Sequence, residues 1–192
     1  MAESLEQAWE LNQKGRNNII IGGNLWLKMG RRNIINAIDL SSLGLDKIEE
    51  DEGGFRIGCM ATLHDIETHE GLNKEFQNLF KEAVRHIVGV QFRNCATIGG
   101  SIFPKLGFSD VLTAFLACDT QVILYKKGEV PLREFIYIPT DNDILTHLYV
   151  KKDGRKTAYE SFRMTETDFP TITCAVANSA SSRVRCLLQR TP

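Results

Sequence analysis

Hydrophobic residues recur along the chain with two spacings, one typical of helices and one typical of strands. Helical spacing runs through residues 5–14, 62–67, 73–87 and 110–117, and the third of these stretches is the longest. Short β-branched or alternating runs predict strands at residues 18–21, 33–40, 48–51, 54–57, 120–125, 143–150, 158–163 and 171–177. From about residue 179 the periodicity fades, which predicts an irregular tail and a truncated final domain.

The order of these elements predicts the fold class. Residues 18–40 form a small β–α–β pattern, with a Gly-Gly turn and a helical turn between the two strands. The later strands and helices do not keep the regular alternation of a doubly wound dinucleotide fold. The pattern therefore predicts an α+β protein.

Composition narrows the possible partners. The 192 residues are 43% hydrophobic and carry a net charge of −1, which suits one medium domain or two small ones. This charge gives no basic surface for nucleic acid or a membrane, and no apolar run approaches the roughly 20 residues of a membrane helix. The five cysteines are dispersed, which predicts reduced thiols, a cytoplasmic location and no iron–sulfur cluster within the chain.

Two glycine pairs are the candidate ligand-binding segments. We call residues 22–24 the first glycine loop and residues 97–101 the second glycine segment. Glycine lets the backbone approach a ligand closely, and successive N–H groups favour anions such as phosphate. The simpler interpretation of the second segment is an ordinary tight loop between helices. Neither segment fits the Rossmann or P-loop pattern.

Other polar residues give weaker signals. Asp110 follows Ser109 and is most simply a helix-capping residue, although it could accept a hydrogen bond from a ligand hydroxyl. The histidines lack metal-ligand spacing, so no metal site is predicted. No nucleophile–base pairing is evident, and we predict no catalytic residue. The acidic residues that follow Thr62 are expected to form a solvated helix surface: Asp65, Glu67 and Glu70.

Taken together, these residues resemble the FAD-binding subunit of the molybdenum hydroxylases, the family of xanthine dehydrogenase and carbon monoxide dehydrogenase. Residues 19–26 match the family's first flavin loop, an apolar strand that runs into a Gly-Gly turn. Residues 93–102 match its second, R-N-x-x-T-I-G-G-N/S-I, and Asp110 matches the Asp that follows about nine residues later. The likeness extends from about residue 4 to residue 178, and the second motif is the more specific one.

The resemblance implies the p-cresol methylhydroxylase-like FAD-binding fold of two α/β subdomains. Residues 1–56 would form a small N-terminal FAD-binding subdomain, residues 57–152 a larger one, and residues 153–192 the start of an incomplete C-terminal domain. Arg163 matches a basic residue near the flavin, and Leu145 and Ile87 fall where the family places apolar contacts. The full set of residues implied to hold FAD is Ile19, Ile20, Ile21, Gly22, Gly23, Asn24, Leu25, Thr97, Gly99, Gly100, Ser101, Asp110, Leu145 and Arg163.

The resemblance also implies an electron-transfer role. Substrate would be oxidised in a molybdenum-cofactor subunit, and electrons would pass through a 2Fe–2S subunit to FAD in this chain and on to NAD or another acceptor. Such an oxidoreductase subunit would not act alone on the organic substrate. Two alternatives stay open: a stand-alone flavin reductase of the same fold, and a flavin-free scaffold that assembles partner subunits. The scaffold is kept open by departures from the family pattern at Asn24 and at residues 105–108.

Overall fold

The computed structural model describes residues 1–139, 141–179 and 182–190, with backbone alone for Trp26, Ser179 and residues 182–190. The helices are α1 (Leu5–Gln13), α2 (Leu25–Met29), α3 (Leu63–Thr68), α4 (Glu70–Glu75), α5 (Leu79–Val84), α6 (Val90–Arg93), α7 (Ile98–Ile102), α8 (Asp110–Ala117) and α9 (Leu132–Phe135). The strands are β1 (Asn18–Ile21), β2 (Asn36–Asp39), β3 (Ile48–Glu50), β4 (Gly54–Gly58), β5 (Thr120–Leu124), β6 (Gly128–Pro131), β7 (Leu145–Lys151), β8 (Lys156–Phe162), β9 (Ile172–Ser179) and β10 (Ser182–Arg190).

The N-terminal part is the predicted β–α–β unit. Ser4 caps α1 by accepting a hydrogen bond from the Gln7 N–H. β1 and β2 pair in parallel, with Ile20 opposite Ile38. The first glycine loop therefore leaves the carboxyl end of a parallel strand, where ligand-binding turns of α/β units commonly lie.

The central layer is a five-stranded antiparallel sheet in the order β3-β4-β7-β5-β6. The inner residues of its strands alternate with more exposed ones, which gives the period-two pattern of a sheet with one buried face. Phe55 and Ile57 of β4 are fully buried, as is Leu148 of β7. From this face a line of aromatic rings continues through the helices, from Phe55 to Phe76, Phe80 and Phe115.

The single helix predicted over residues 73–87 is wrong. The chain forms α4 and α5 instead, separated by Gln77 and Asn78, whose φ angles are 44° and 62°. Gln77 uses its side-chain oxygen to accept a hydrogen bond from the Thr157 N–H at 2.7 Å. Tertiary hydrogen bonding has therefore overridden a local apolar pattern that suits a continuous helix.

The irregular tail predicted from about residue 179 is also wrong over residues 182–190, where the backbone forms β10. This strand pairs antiparallel with β9, which pairs in turn with β8. Residues 180–181 and 191–192 of the predicted tail lie outside the described residues. The three-stranded sheet packs its β8 edge near α5 and its other strands near α8.

The predicted subdomain boundary at residues 56–57 falls inside β4, which pairs with β3 on one side and β7 on the other. The strand pairing favours a boundary before β3, because the β3–β4 hairpin belongs to the five-stranded sheet. The division into subdomains stays a prediction.

Candidate functional site

The two glycine segments pack directly against each other. A Cβ atom added to Gly22 would lie 2.5 Å from the Thr97 hydroxyl oxygen. One added to Gly23, whose φ is +71°, would lie 1.8 Å from the Cys95 carbonyl oxygen. Both distances are shorter than side chains tolerate, so the sequence needs glycine here for the contact between the segments.

The second glycine segment is a helical turn, not the open loop of bare N–H groups that the sequence suggests. Thr97 is the N-cap of α7, and its hydroxyl accepts a hydrogen bond from the Gly100 N–H at 3.2 Å. The Gly99 N–H donates to the Cys59 carbonyl at 2.8 Å, and the Ser101 N–H donates to the Thr97 carbonyl at 3.1 Å. The Ile98 N–H donates to the Ala61 carbonyl, so the backbone donors of residues 98–101 are already used within the protein.

An ion pair holds the end of α6, which precedes the second glycine segment in the chain. The Arg93 guanidinium donates to both carboxylate oxygens of Glu67, at 2.8 and 3.0 Å. The expectation that Glu67 lies on a solvated surface is therefore wrong, since its side chain is 15% exposed and its partner's 7%. Burial by itself would raise the pKa of Glu67, but the hydrogen bonds from Arg93 and His64 leave it below its ordinary value.

The neighbouring acidic residue, Asp65, also has a structural role. Its carboxylate accepts hydrogen bonds from the backbone N–H and the hydroxyl of Thr62, and the Thr62 hydroxyl accepts from the Asp65 N–H. This capping box fixes the start of α3. Thr62 also bridges to Thr97, so the cap of α3 and the cap of α7 lie side by side.

The first glycine loop has the opposite character. Within the part of the chain that the structure describes, the backbone N–H groups of Gly22, Gly23 and Asn24 donate to no protein atom. Asn24 has a left-handed φ of 55°, and its side chain does not cap α2. Three successive donors are therefore left for a ligand, which is the arrangement that binds anions such as phosphate.

Asp110 is buried at the first position of α8, where Ser109 is the N-cap. Its Oδ1 atom accepts hydrogen bonds from the Tyr159 hydroxyl and the Arg163 guanidinium. Burial raises the pKa of Asp110, and these two hydrogen bonds offset part of that effect. The Ser109 hydroxyl donates to the Ser101 carbonyl at 3.4 Å, which places Asp110 close to the end of the second glycine segment.

The other predicted residues are more dispersed. Residues 19–21 form the half-buried strand β1, and Leu25 is the first residue of α2. Leu145 is buried in β7, one residue before Thr146, whose carbonyl accepts a hydrogen bond from the Cys59 N–H. Ile87 is half-buried beyond the end of α5. The structure thus joins the two glycine segments directly and Arg163 to Asp110, while Leu145 is connected to them through Thr146 and Cys59.

Several contributors were missed by sequence reasoning. The carbonyls of Cys59 and Cys95 support the glycine segments through their backbone, which leaves no side-chain signal to find. Glu67 and Tyr159 act through partners 26 and 49 residues away. A single sequence does not pair residues at such separations.

Comparison with known proteins decides which family this site belongs to. The family model described as the FAD binding domain in molybdopterin dehydrogenase matches residues 1–150. The chain belongs to this family. Its cofactor is FAD, and the fold is the predicted one.

Individual relatives and a solved structure match nearly the whole chain. The chain is similar to the uncharacterized protein YgfM of Escherichia coli K12, with 26% identity over 97% of the chain and 71% of that protein. It is similar to the glyceraldehyde dehydrogenase medium chain of Sulfolobus acidocaldarius, with 26% identity over 92% of the chain and 67% of that protein. Among solved structures, carbon monoxide dehydrogenase from Hydrogenophaga pseudoflava has a chain that matches with a TM-score of 0.84 and 24% identity, over 98% of this chain and 72% of that one.

The geometry of the first glycine loop fits FAD. The backbone donors of the first glycine loop suit a pyrophosphate. Among the described residues no group of three His, Cys, Asp or Glu could hold a metal ion. None of the described helices is long and apolar enough to cross a membrane.

Proposed function

We propose that this chain is the FAD-binding electron-transfer subunit of a molybdenum-containing dehydrogenase. It would receive electrons from the 2Fe–2S clusters of one partner subunit, while a second partner with the molybdenum cofactor oxidises the substrate. FAD supplies the chemistry that connects single-electron donors to NAD or another acceptor. A cytoplasmic location is part of the same proposal, as is the absence of nucleic acid and membrane partners.

The observation that carries the proposal is that Gly22, Gly23 and Asn24 have backbone donors with no protein partner among the described residues. They lie beside a second segment whose donors are already used. These three N–H groups would bind the pyrophosphate. The second glycine segment would pack against the first glycine loop and hold it in position, through Thr97, Gly99, Gly100 and Ser101. This arrangement gives the two segments different tasks at one cofactor.

The remaining residues of the proposed site have supporting tasks. The strand at residues 19–21 and Leu25 would keep the first glycine loop in place from either end. Asp110 would accept a hydrogen bond from a hydroxyl of the flavin's ribityl chain, with Arg163 beside it. Leu145 would contribute an apolar contact. The chain offers no side chain that needs to act as an acid or base, so positioning of the cofactor is its contribution.

The first experiment measures FAD uptake by the purified chain from its visible spectrum and by fluorescence titration. We expect flavin absorption in the wild type and its loss in Gly100→Val, because Gly100 lies against the carbonyl of Gly22. Gly15→Val is the matched control, since a Cβ at Gly15 meets no atom within 4 Å. A colourless wild type that takes up no FAD would overturn the proposal.

Amide hydrogen exchange tests the division of tasks. Without FAD, the N–H groups of Gly22, Gly23 and Asn24 should exchange fast, and those of Gly99 and Gly100 slowly. FAD should slow the first set strongly and the second set little. Equal protection of both sets by FAD would contradict a pyrophosphate site on the first glycine loop.

A flavin-free scaffold is the second candidate, favoured by the internal use of the donors in the second segment. A chain that binds its 2Fe–2S and molybdenum partners but no FAD would support this alternative. Turnover of NADH and a small enoyl substrate by the chain alone would instead support a stand-alone reductase. Flavin reduction that requires the partners would support the electron-transfer subunit.

A further inference from the structure

The carboxylate of Asp110 is held asymmetrically. Tyr159 and Arg163 both direct their hydrogen bonds to the same oxygen, Oδ1. Over the described residues, no side-chain donor reaches Oδ2, and no fully buried side-chain oxygen lacks a partner. Oδ2 is thus left without a side-chain donor, in a residue that is only 5% exposed.

The Tyr159 hydroxyl is suited to hold a carboxylate in one orientation. It is buried on β8, and burial raises its pKa above the ordinary value, with a further increase from Asp110. The phenol is thus a neutral donor whose proton is directed at Oδ1. A hydrogen bond from Thr173 on β9 acts on the pKa of Tyr159 in the opposite direction and offsets part of the increase.

Arg163 completes the arrangement from the same direction. Its guanidinium donates to Asp110 and also to the Asp168 carbonyl, at 2.6 Å for the latter. Tyr159 and Arg163 both lie beyond residue 150, where the match to the FAD-binding family model ends. A residue inside the matched domain is therefore oriented by two residues outside it.

We propose that Tyr159 is a positioning residue for FAD, which together with Arg163 turns Asp110 so that Oδ2 faces a ribityl hydroxyl. This rests on the proposed function, because it requires that FAD is the ligand. Tyr159 itself does not touch the cofactor. Its effect on binding passes through the carboxylate of Asp110.

The experiment compares Tyr159→Phe with wild type at a temperature well below the unfolding temperature of each variant. Binding is measured by flavin fluorescence for FAD and for an FAD analogue whose ribityl chain lacks its hydroxyls. Tyr149→Phe is the matched control, since Tyr149 also donates to an aspartate, Asp51, at 3.0 Å. Arg163→Gln removes the other hydrogen bond to Oδ1 and serves as the second variant.

We expect FAD binding to weaken about tenfold in Tyr159→Phe and in Arg163→Gln, and to stay within about twofold in Tyr149→Phe. For the analogue, Tyr159→Phe should change the affinity less than about twofold relative to wild type, because the hydroxyl that Asp110 would bind is missing. This dependence on the ribityl hydroxyls is a result that a merely structural tyrosine would not give.

Two results would overturn the inference while the proposed function stands. One is a wild type that binds FAD together with a Tyr159→Phe variant that binds it equally well. The other is an equal loss of affinity for FAD and for the analogue, which would mean that Tyr159 only supports the fold. If Tyr159→Phe does not fold, the affinities of Arg163→Gln for FAD and for the analogue are compared instead, and the same two outcomes apply. A wild type that binds neither ligand would instead overturn the proposed function, and the inference with it.

Discussion

The first glycine loop and the second glycine segment contain the same residue pair, and the protein uses the two pairs in opposite ways. Over the described residues, the N–H groups of Gly22 and Gly23 donate to no protein atom, whereas those of Gly99 and Gly100 are bound to Cys59 and Thr97. The first glycine loop therefore offers backbone hydrogen-bond donors to a ligand, whereas the second glycine segment offers a fixed surface for the first loop to pack against. A glycine pair alone does not tell which of the two a segment provides.

The difference arises from what precedes each pair. A strand ends at Ile21, so the chain leaves the sheet there, and the donors that follow have no protein partner among the described residues. Thr97 is an N-cap, so the residues after it enter a helix and direct their donors back into the protein. The capping residue, and not the glycine, decides whether the backbone is available to a ligand.

Gly23→Ala should have the largest effect, because it separates the two segments. The added Cβ would meet the Cys95 carbonyl at 1.8 Å, and Gly23 has a left-handed φ. We expect a loss of at least about 3 kcal/mol in the free energy of unfolding, measured with urea. Gly15→Ala should change it by less than about 1 kcal/mol. A stable Gly23→Ala protein would show that the two segments are not in contact.

Glu67→Gln should have the next largest effect, because it leaves the Arg93 guanidinium without its charged partner. Arg93 precedes the second glycine segment in the chain. We expect a loss of about 2 kcal/mol in the free energy of unfolding. Glu82→Gln breaks an exposed ion pair with Arg85 and should cost about 0.5 kcal/mol or less. Equal losses in both variants would show that the Arg93 pair does not anchor the segment.

The same pair predicts a pH dependence. The pKa of Glu67 is lower in the folded state than its ordinary value of 4.5, so ionised Glu67 stabilises the fold above that pH. This contribution is lost as the pH falls below 4.5 and through the lowered folded-state pKa. The difference in unfolding free energy between wild type and Glu67→Gln should shrink over that range, and a constant difference would contradict the shift.

Thr97→Val should have an intermediate effect, because it keeps the shape of the side chain and removes the acceptor that caps α7. We expect a loss of about 1 kcal/mol in unfolding free energy. It should also speed amide exchange at Gly100, which makes this donor resemble those of the first glycine loop. Thr97→Ser keeps the hydroxyl and should remain within about 0.5 kcal/mol. Unchanged exchange at Gly100 in the valine variant would argue against the cap.

Gly100→Ala should have the smallest effect. The added Cβ would lie 3.1 Å from the Gly22 carbonyl oxygen and 3.2 Å from the Thr97 hydroxyl, so each neighbour must move by a few tenths of an ångström. Alanine also favours the helix by up to about 1 kcal/mol, which offsets that cost. We expect the free energy of unfolding, measured by thermal unfolding, to change by about 0.5 kcal/mol or less. A loss above about 2 kcal/mol would mean that the contact between the segments cannot adjust.

Local patterns predicted much of this fold because the local chemistry agrees with the tertiary structure. The run of β-branched residues before Gly22 forms β1, and α8 begins at Asp110 as its apolar spacing predicts, although its N-cap is Ser109 and not Asp110. The predicted break between strands at residues 51–54 is also present, since Asp51 accepts hydrogen bonds from the N–H groups of Gly53 and Gly54. In each case the signal lies within a few residues of the feature.

The prediction failed where distant residues decide the conformation. Apolar spacing over residues 73–87 suits one helix, but the partner of Gln77 is Thr157, 80 residues away. The role of Arg163 was inferred only from the family resemblance, and its contact with Asp110 spans 53 residues. The FAD contacts of the site residues stay predictions, which the titrations above test.

The break between α4 and α5 has a consequence for the order in which the chain folds. Residues 70–84 are synthesised long before β8, whose Thr157 hydrogen-bonds both Gln77 and the Phe76 carbonyl. We expect the segment to favour a continuous helix early in synthesis and to bend when β8 arrives. Attachment of the C-terminal sheet would then be a late step with a high contact order, slower than the formation of the helices it joins.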